Sequence, residues 1–199
     1  MDVSKWLVKR LRLNVLPFPT PTEIIKKRRE YLGELINKLG YKVGAEIGTW
    51  QGDYALSLLS QNPDLHLYCV DPWEYYDDYH EDIISVSQAG MDNNLEIAKR
   101  KLAGYKVDFV RKRSMEAVND FADGSLDFVY IDGHHGLSYV INDLEWWGRK
   151  VRSGGLICGH DYYEIDPPYR KRSSNYRAFE AVNAYVKAYD IHLWFVIGR

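Results

Sequence analysis

Two carboxylates and three imidazoles close apolar runs in this chain. Leu126-Asp-Phe-Val-Tyr-Ile131 leads into Asp132-Gly133-His134-His135, and Gly155-Leu-Ile-Cys-Gly159 leads into His160-Asp161. The two runs are strands adjacent in sequence order, so Asp132 and Asp161 are expected to project from one carboxyl edge of a sheet, into the crevice where an open α/β fold binds ligands. Two carboxylates sharing a pocket repel one another unless a cation lies between them. A hard divalent ion such as Mg²⁺ accepts one or two carboxylates, keeps waters and leaves positions for substrate oxygens. An imidazole within reach, His135, would then remove a proton from a hydroxyl held there.

A second constellation lies upstream. The strand residues Val43, Ala45 and Ile47 run into Glu46-x-Gly48-Thr49-x-x-Gly52, whose glycines let the backbone turn tightly and let a ligand approach it before a helix begins. The loop lacks the third glycine and the G-x-G-x-x-G order that sets a helix N-terminus against a pyrophosphate. About 23 residues after Gly48, Asp71 ends the run Leu67-Tyr68-Cys69-Val70 and is followed by Pro72-Trp73. In an open parallel sheet a carboxylate there accepts hydrogen bonds from ribose hydroxyls. A ribose site without a diphosphate site points to S-adenosylmethionine.

The elements that must position these residues alternate: strand 43–48, helix 51–60, strand 66–70, a long segment 79–104, strand 106–110, helix 114–122, strand 126–131, helix 138–150, strand 155–160, helix 175–189 and strand 191–197. Such alternation predicts an α/β fold, a Rossmann-like, doubly wound, mostly parallel sheet of six or seven strands with helices on both faces. N-terminal accessory helices precede it. The segment Ser4–Leu13 is basic and amphipathic, and its expected use is packing on its own domain. The proline-rich Leu16–Thr22 is a connector, with Thr20 or Thr22 capping a helix through Ile24, Tyr31 and Leu39 that stops at Gly40. The division expected is an N-terminal helical extension, 1–40, and a cofactor-binding domain, 41–199. Beyond His192-Leu-Trp-Phe-Val-Ile197 any further strand of the sheet is missing or supplied differently, by the N-terminal segment or a second copy. An exposed edge of that kind invites a homo-oligomer.

Composition sets outer bounds. The 26 basic and 28 acidic residues nearly cancel, which argues against a dedicated nucleic-acid binder. The runs at 26–29, 111–113 and 170–172 then read as solvated faces. Cys69 and Cys158 sit in apolar runs and read as small buried hydrophobes, as suits a reducing cytoplasm. No apolar stretch approaches the ~18 residues of a membrane span, and the start lacks the pattern of a signal peptide.

Glu46-x-Gly48-x-x-x-Gly52, Asp71 and the strand ending at Asp132 together resemble the class I S-adenosylmethionine-dependent methyltransferases, over roughly residues 40–197. Asp132-Gly-His-His135, Asp143-Leu-Glu-Trp-Trp147 and Gly154-Gly-Leu-Ile-Cys-Gly-His-Asp-Tyr162 narrow the likeness to the branch that includes the metal-dependent macrolide-sugar O-methyltransferases. The resemblance implies that Glu46, Gly48 and Gly52 hold the methionine end of the cofactor, Asp71 the ribose, and Ser114 and Met115 the adenine. Thr49, Pro72, Trp73 and Asp132 complete the implied contacts. It further implies Asp132 and Asp161 as metal ligands, with His135 as general base beside Asp132. The branch has an acidic pair where this chain has His160-Asp161; with His160 as a third ligand, Mn²⁺, Fe²⁺ or Zn²⁺ suits the site better than Mg²⁺. An aromatic that the branch places two residues past its histidine falls at Leu137 here, with Tyr139 displaced. Asp143 reads as a first-turn helix carboxylate, Trp146 and Trp147 as core and interface aromatics, His134 as a loop residue, and Tyr162 and Tyr163 as lining for the acceptor.

The function expected is transfer of a methyl group to a hydroxyl on a sugar or other small polar acceptor, assisted by a divalent cation. The alternatives are a metal-free N- or nucleic-acid methyltransferase, and a non-catalytic member serving as a scaffold.

Overall fold

A computed structural model describes residues 2–18, 20–24, 30–75, 87–163 and 176–197. The basic runs at 26–29 and 170–172 lie outside the described residues. In chain order the elements are α1 (Val3–Leu11), β1 (Thr22–Ile24), α2 (Tyr31–Leu39), β2 (Val43–Ile47), α3 (Asp53–Gln61), β3 (His66–Val70) and α4 (Gln88–Lys101). There follow β4 (Val107–Val110), α5 (Ser114–Ala117) with a 3-10 turn (Val118–Asp120), β5 (Leu126–Ile131), α6 (Leu137–Lys150), β6 (Val151–Gly159), α7 (Ala178–Ala188) and β7 (Phe195–Ile197).

Strands β2 to β6 form one parallel sheet in the order β4-β3-β2-β5-β6. Chain order reverses direction between β2 and β5, the two strands that carry Gly48 and Asp132 at their carboxyl ends. That reversal opens the crevice in which doubly wound sheets bind ligands. Because side chains alternate along a strand, one apolar run feeds two cores. Leu67, Cys69, Phe128 and Tyr130 face a core shared with Val3, Leu7, Ile36, Leu58 and Leu59. Ala45, Ile47, Val129 and Ile131 face a second core with Val140, Leu144, Trp147 and Ala181. Burial on both faces explains why these strands read as continuous apolar runs. Cys69 and Cys158 are free, Cys69 fully buried and Cys158 donating its thiol to the Val129 carbonyl at 3.0 Å.

Several expected boundaries shift, each for a local reason. Thr22 does not cap a helix: Thr22 and Ile24, both buried, form a short strand parallel to Phe195–Ile197, and Thr22 N–H donates to the Trp194 carbonyl at 2.9 Å. The last strand therefore stays out of the main sheet and takes the N-terminal segment as its partner. Helix α2 begins only at Tyr31 and ends on Gly40, whose φ of 68° supplies the left-handed stop. The long segment 79–104 is helical from Gln88, where Ser87 Oγ accepts from Gly90 N–H at 3.2 Å. The expected helix 114–122 tightens into a 3-10 turn after one α-turn. β6 starts at Val151, earlier than expected, because a register shift opposite Leu126–Phe128 lets the glycines 154 and 155 pass.

Among the described residues no helix is long and apolar enough to cross a membrane. α1 is held by Asp2, whose carboxylate accepts from Lys5 N–H at 3.0 Å, and by Val3 and Leu7, which enter the first core. Leu7 is 3% exposed, so Leu7→Ala is expected to cost about 2–5 kcal/mol, the usual range for an emptied core position. Urea denaturation measures it, and an unchanged midpoint would show that α1 is not part of the folding unit.

Candidate active site

The loop after β2 is built on a close approach. Gly48 has φ 92° and donates its N–H to the Val70 carbonyl at 2.8 Å, while Asp132 N–H donates to the Ile47 carbonyl at 2.8 Å. A Cβ at Gly48 would lie 2.2 Å from the Asp132 carbonyl oxygen, a distance no side chain tolerates. Glycine is thus required both by φ and by space. Gly52, φ 76°, then turns the chain into α3. Glu46 and Thr49 are buried beneath this loop.

Asp71 ties the loop to its neighbour. One carboxylate oxygen accepts from Trp50 N–H at 2.9 Å and the other from Trp73 N–H at 2.7 Å. Burial raises the Asp71 pKa, and the two backbone hydrogen bonds oppose that rise. Each oxygen keeps a further lone pair, so the same carboxylate can still accept from a diol. Trp50 and Trp73 adopt left-handed φ of 48° and 41°, a strain of roughly 1–3 kcal/mol each that surrounding contacts must offset. Trp73 is fully buried; its indole N–H reaches the Trp50 carbonyl at 2.8 Å, and its own carbonyl accepts from Gln88 Nε2 at 2.9 Å and Arg111 Nη2 at 3.0 Å. Sequence reasoning missed Gln88 and Arg111, whose role comes from α4 and β4 converging on one carbonyl. A pocket of about 350 Å³ opens here, lined by Pro72, Glu74, Gln88, Arg111, Arg113 and Glu116. Another of about 270 Å³, bordered by Val43, Tyr68, Phe121 and Leu126, lies toward the amino ends of β2 and β5, away from Asp71 and Asp132.

Across the crevice, Asp132, His135 and Asp161 converge. His135 Nε2 lies 3.0 Å from Asp161 Oδ2 and 3.5 Å from Asp132 Oδ1. One ligand atom from each of the three falls within 4.8 Å of the others, a spacing able to hold a metal ion. His160, the histidine expected as third ligand, is outside that group: its Nδ1 is 2.8 Å from Asp161 Oδ1 but 3.8 Å from Asp132, and its side chain is 39% exposed. Burial pushes the Asp161 carboxyl up, but hydrogen bonds from His135 and His160, with their charge, outweigh it and hold the group well below the ordinary carboxylate range. Asp161 also has a left-handed φ of 56°. His135 stacks on Tyr176 at 4.8 Å and 8°, and its carbonyl accepts from Arg177 N–H at 2.8 Å, which anchors the entry to α7.

Other expected residues have different surroundings. Ser114 turns its hydroxyl inward, donating to Asp143 and accepting from Trp147 Nε1 at 2.8 Å, and Met115 packs on the second core. Asp143 is not a first-turn carboxylate; it is buried in the middle of α6, where burial lifts its pKa to about 7 against the Ser114 hydrogen bond. Trp147 is fully buried, while Trp146 is exposed under Arg149 at 4.5 Å. His134 is half-buried, stacked on the exposed Tyr139 at 3.8 Å. Tyr162 packs between Phe179 and Trp194, whereas Tyr163 and Leu137 are exposed near the cluster.

A family model described as a methyltransferase domain matches residues 45–162, more than half of the chain. The chain belongs to that methyltransferase-domain family, and its fold is the Rossmann-like one. Over 126 residues it is 29% identical to uncharacterized protein R132 of Acanthamoeba polyphaga mimivirus, covering 60% of this chain and 51% of that protein. It thus spans about half the length of that curated relative. Among solved structures it is similar to cofactor-bound Rv0187 from MTB, with a TM-score of 0.58, 17% identity and coverage of 95% and 76% of the two chains. It is also similar to the O-methyltransferase TomG of Streptomyces achromogenes, involved in tomaymycin synthesis and solved with SAM, with a TM-score of 0.57, 16% identity and coverage of 80% and 66%. At these identities the likeness is one of fold.

The Gly48 contact makes a graded prediction. Gly40 has φ 68° and open space where a Cβ would stand, so Gly40→Ala is expected to cost only about 1–2 kcal/mol of left-handed strain. Gly48→Ala adds displacement of the Asp132 backbone and must cost more. Thermal and urea unfolding compare the two, and equal losses would mean that the β2–β5 approach relaxes freely.

Proposed function

We propose that this protein transfers a methyl group from S-adenosylmethionine to a hydroxyl of a small polar acceptor, such as a sugar, with a divalent cation at Asp132, His135 and Asp161. The observation that carries this reading is the contact between Gly48 and Asp132: the cofactor loop and the carboxylate–imidazole cluster share one sheet edge. Residues 41–199 would carry both sites, with 1–40 as an extension, and the edge of β6 is where a second copy would add.

S-Adenosylmethionine would supply a methyl carbon on a sulfonium; the C–S bond breaks as the acceptor oxygen bonds to that carbon, S-adenosylhomocysteine leaves, and the hydroxyl proton goes to a base. The protein's work is then alignment and proton removal. The Gly48 turn lets main chain lie against the methionine end, where Glu46 and Thr49 are at hand. Asp71, already fixed by two backbone donors, presents its remaining lone pairs to ribose hydroxyls. The β3–β4 pocket beside Pro72 suits the base.

Two carboxylates and one imidazole are a mixed oxygen and nitrogen donor set, which fits Mn²⁺, Fe²⁺ or Zn²⁺ better than Mg²⁺. Such an ion lowers the pKa of a bound hydroxyl and places it. His135 Nε2 faces both carboxylates: unprotonated it would serve as ligand, and protonated it donates to Asp161 and leaves Nδ1 to act as base. Without a metal it is an imidazole oriented by Asp161 at 3.0 Å, the arrangement of a general base, typically worth ~10² to 10⁴-fold. That metal-free mechanism is the second reading. A nucleic-acid acceptor is less well supported, because Arg111, Lys112 and Arg113 are each paired with a carboxylate, on Asp92, Asp120 and Glu74. A non-catalytic scaffold would leave the strained, carboxylate-rich crevice without a use.

Calorimetric titration of S-adenosylmethionine, first in EDTA and then with Mn²⁺, tests the reading. Binding in both with a separate heat for the ion is expected. Asp132→Asn and Asp161→Asn should lower turnover on a sugar alcohol by at least about 10²-fold while each keeps folded structure. Full turnover in EDTA and in both variants would remove the metal, and no cofactor binding would remove the function.

A further inference from the structure

Asp143 is a buried carboxyl that neither the cofactor loop nor the metal cluster uses. It sits in the middle of α6, 3% exposed, one turn before the fully buried Trp147. The two side chains hold the same group from different sides: Ser114 Oγ donates to Asp143 Oδ1 and accepts from Trp147 Nε1 at 2.8 Å. Ser114 is the first residue of α5, a helix of one turn whose N-cap, Arg113, makes no side-chain capping bond. The hydrogen bonds to α6 therefore fix the start of α5. The connection that ends at Ser114 supplies Arg111 and Arg113 to the wall of the pocket beside Pro72.

We infer that Asp143 is a positioning residue for the cofactor: through Ser114 it sets the place of the β4–α5 turn, and gain or loss of its proton shifts that turn. The inference rests on the cofactor site described under the proposed function. Burial lifts the carboxyl to about 7, opposed among the described residues by the Ser114 hydroxyl. The elements packed on α6 carry Glu116 on α5, Asp120 on the 3-10 turn, Asp127 on β5, Arg152 on β6, and Glu180 and Lys187 on α7. Asp120 pairs with Lys112, Asp127 with Arg152, and Glu180 with Arg177. On α6 itself Glu145 pairs with Arg149, and Lys150 pairs with Asp123. Among the described residues the Ser114 hydroxyl is the group that supports the ionised form, so ionisation leaves a buried carboxylate held by that one hydrogen bond.

The sign follows from the raised value. The neutral acid is favoured in the folded chain, and the stability it contributes is complete below the unfolded carboxylate range, near pH 4. That stability is lost as pH rises through about 7. Cofactor affinity should fall over the upper part of the same window, as the under-solvated carboxylate draws Ser114 or water toward it.

S-Adenosylhomocysteine is the probe, because it binds without reacting. Calorimetry on the full chain at pH 6 and pH 8 is expected to show affinity falling by roughly threefold or more in the wild type. In Asp143→Asn, which keeps the shape of the neutral acid, most of that fall should vanish. The Trp147 indole N–H resonance, assigned with Trp147→Phe, reports the network without any ligand. It should titrate near neutrality in the wild type and stay fixed in Asp143→Asn. Ser114→Ala, which cuts the link while leaving Asp143, should weaken binding at both pH values. An identical pH profile in Asp143→Asn, an indole resonance that does not titrate, or wild-type binding in Ser114→Ala would each overturn the inference while leaving the cofactor site intact. Absence of binding by the wild type at either pH would overturn the cofactor site itself, and this inference with it.

Discussion

The α-carbon of Gly48 rests against the backbone of Asp132, and the crevice depends on that contact. A parallel sheet brings two strand ends within reach of one another, but side chains normally keep the following loops apart. Removing one Cβ lets the turn after β2 fold over the end of β5. The ladder also continues one residue past each strand, through Gly48 to Val70 and Asp132 to Ile47. Under the proposed function, the loop that would hold the cofactor and the carboxylate that would meet the acceptor thereby become one rigid unit. Rigid placement of this kind is what a displacement reaction needs, since misplacement of reacting atoms lowers rate steeply.

Around that unit, polar side chains serve the backbone before any ligand. Asp71 satisfies two main-chain donors, and Gln88 and Arg111 satisfy the carbonyl of Trp73. These bonds offset the strain at Trp50 and Trp73. At Asp161 the strained φ is matched by two imidazoles on one carboxylate. The left-handed residues near the site are thus each held by charge-assisted or multiple hydrogen bonds, which are stronger than single neutral ones.

The parts of this arrangement legible in the sequence are those written in consecutive residues. Apolar runs ending in Gly48, Asp71, Asp132 and Asp161 announce strand ends, and alternation of runs with helical segments announces a parallel sheet. What was not legible depends on partners far along the chain. Nothing near Ser114 says that its hydroxyl will be taken by α6. Nothing near His160 says that its ring will lean outward while His135 turns in, because the choice is made by Tyr176 stacking and by the Arg177 amide. Thr22 resembled a helix cap because caps and strand residues share threonine. Its extended state was decided by a partner strand at the other end of the sequence.

That pairing of β1 with β7 has a kinetic meaning. The first and last strands meet as a two-stranded parallel ribbon, closed by a loop that contains nearly everything else. Closing so long a loop carries an entropic cost that only the assembled sheet and its two cores can relieve. The ribbon is accordingly expected to form late and to open early. Amide protons of Thr22 to Ile24 and Phe195 to Ile197 should exchange with solvent through local fraying, while those of β2 and β5 wait for global unfolding.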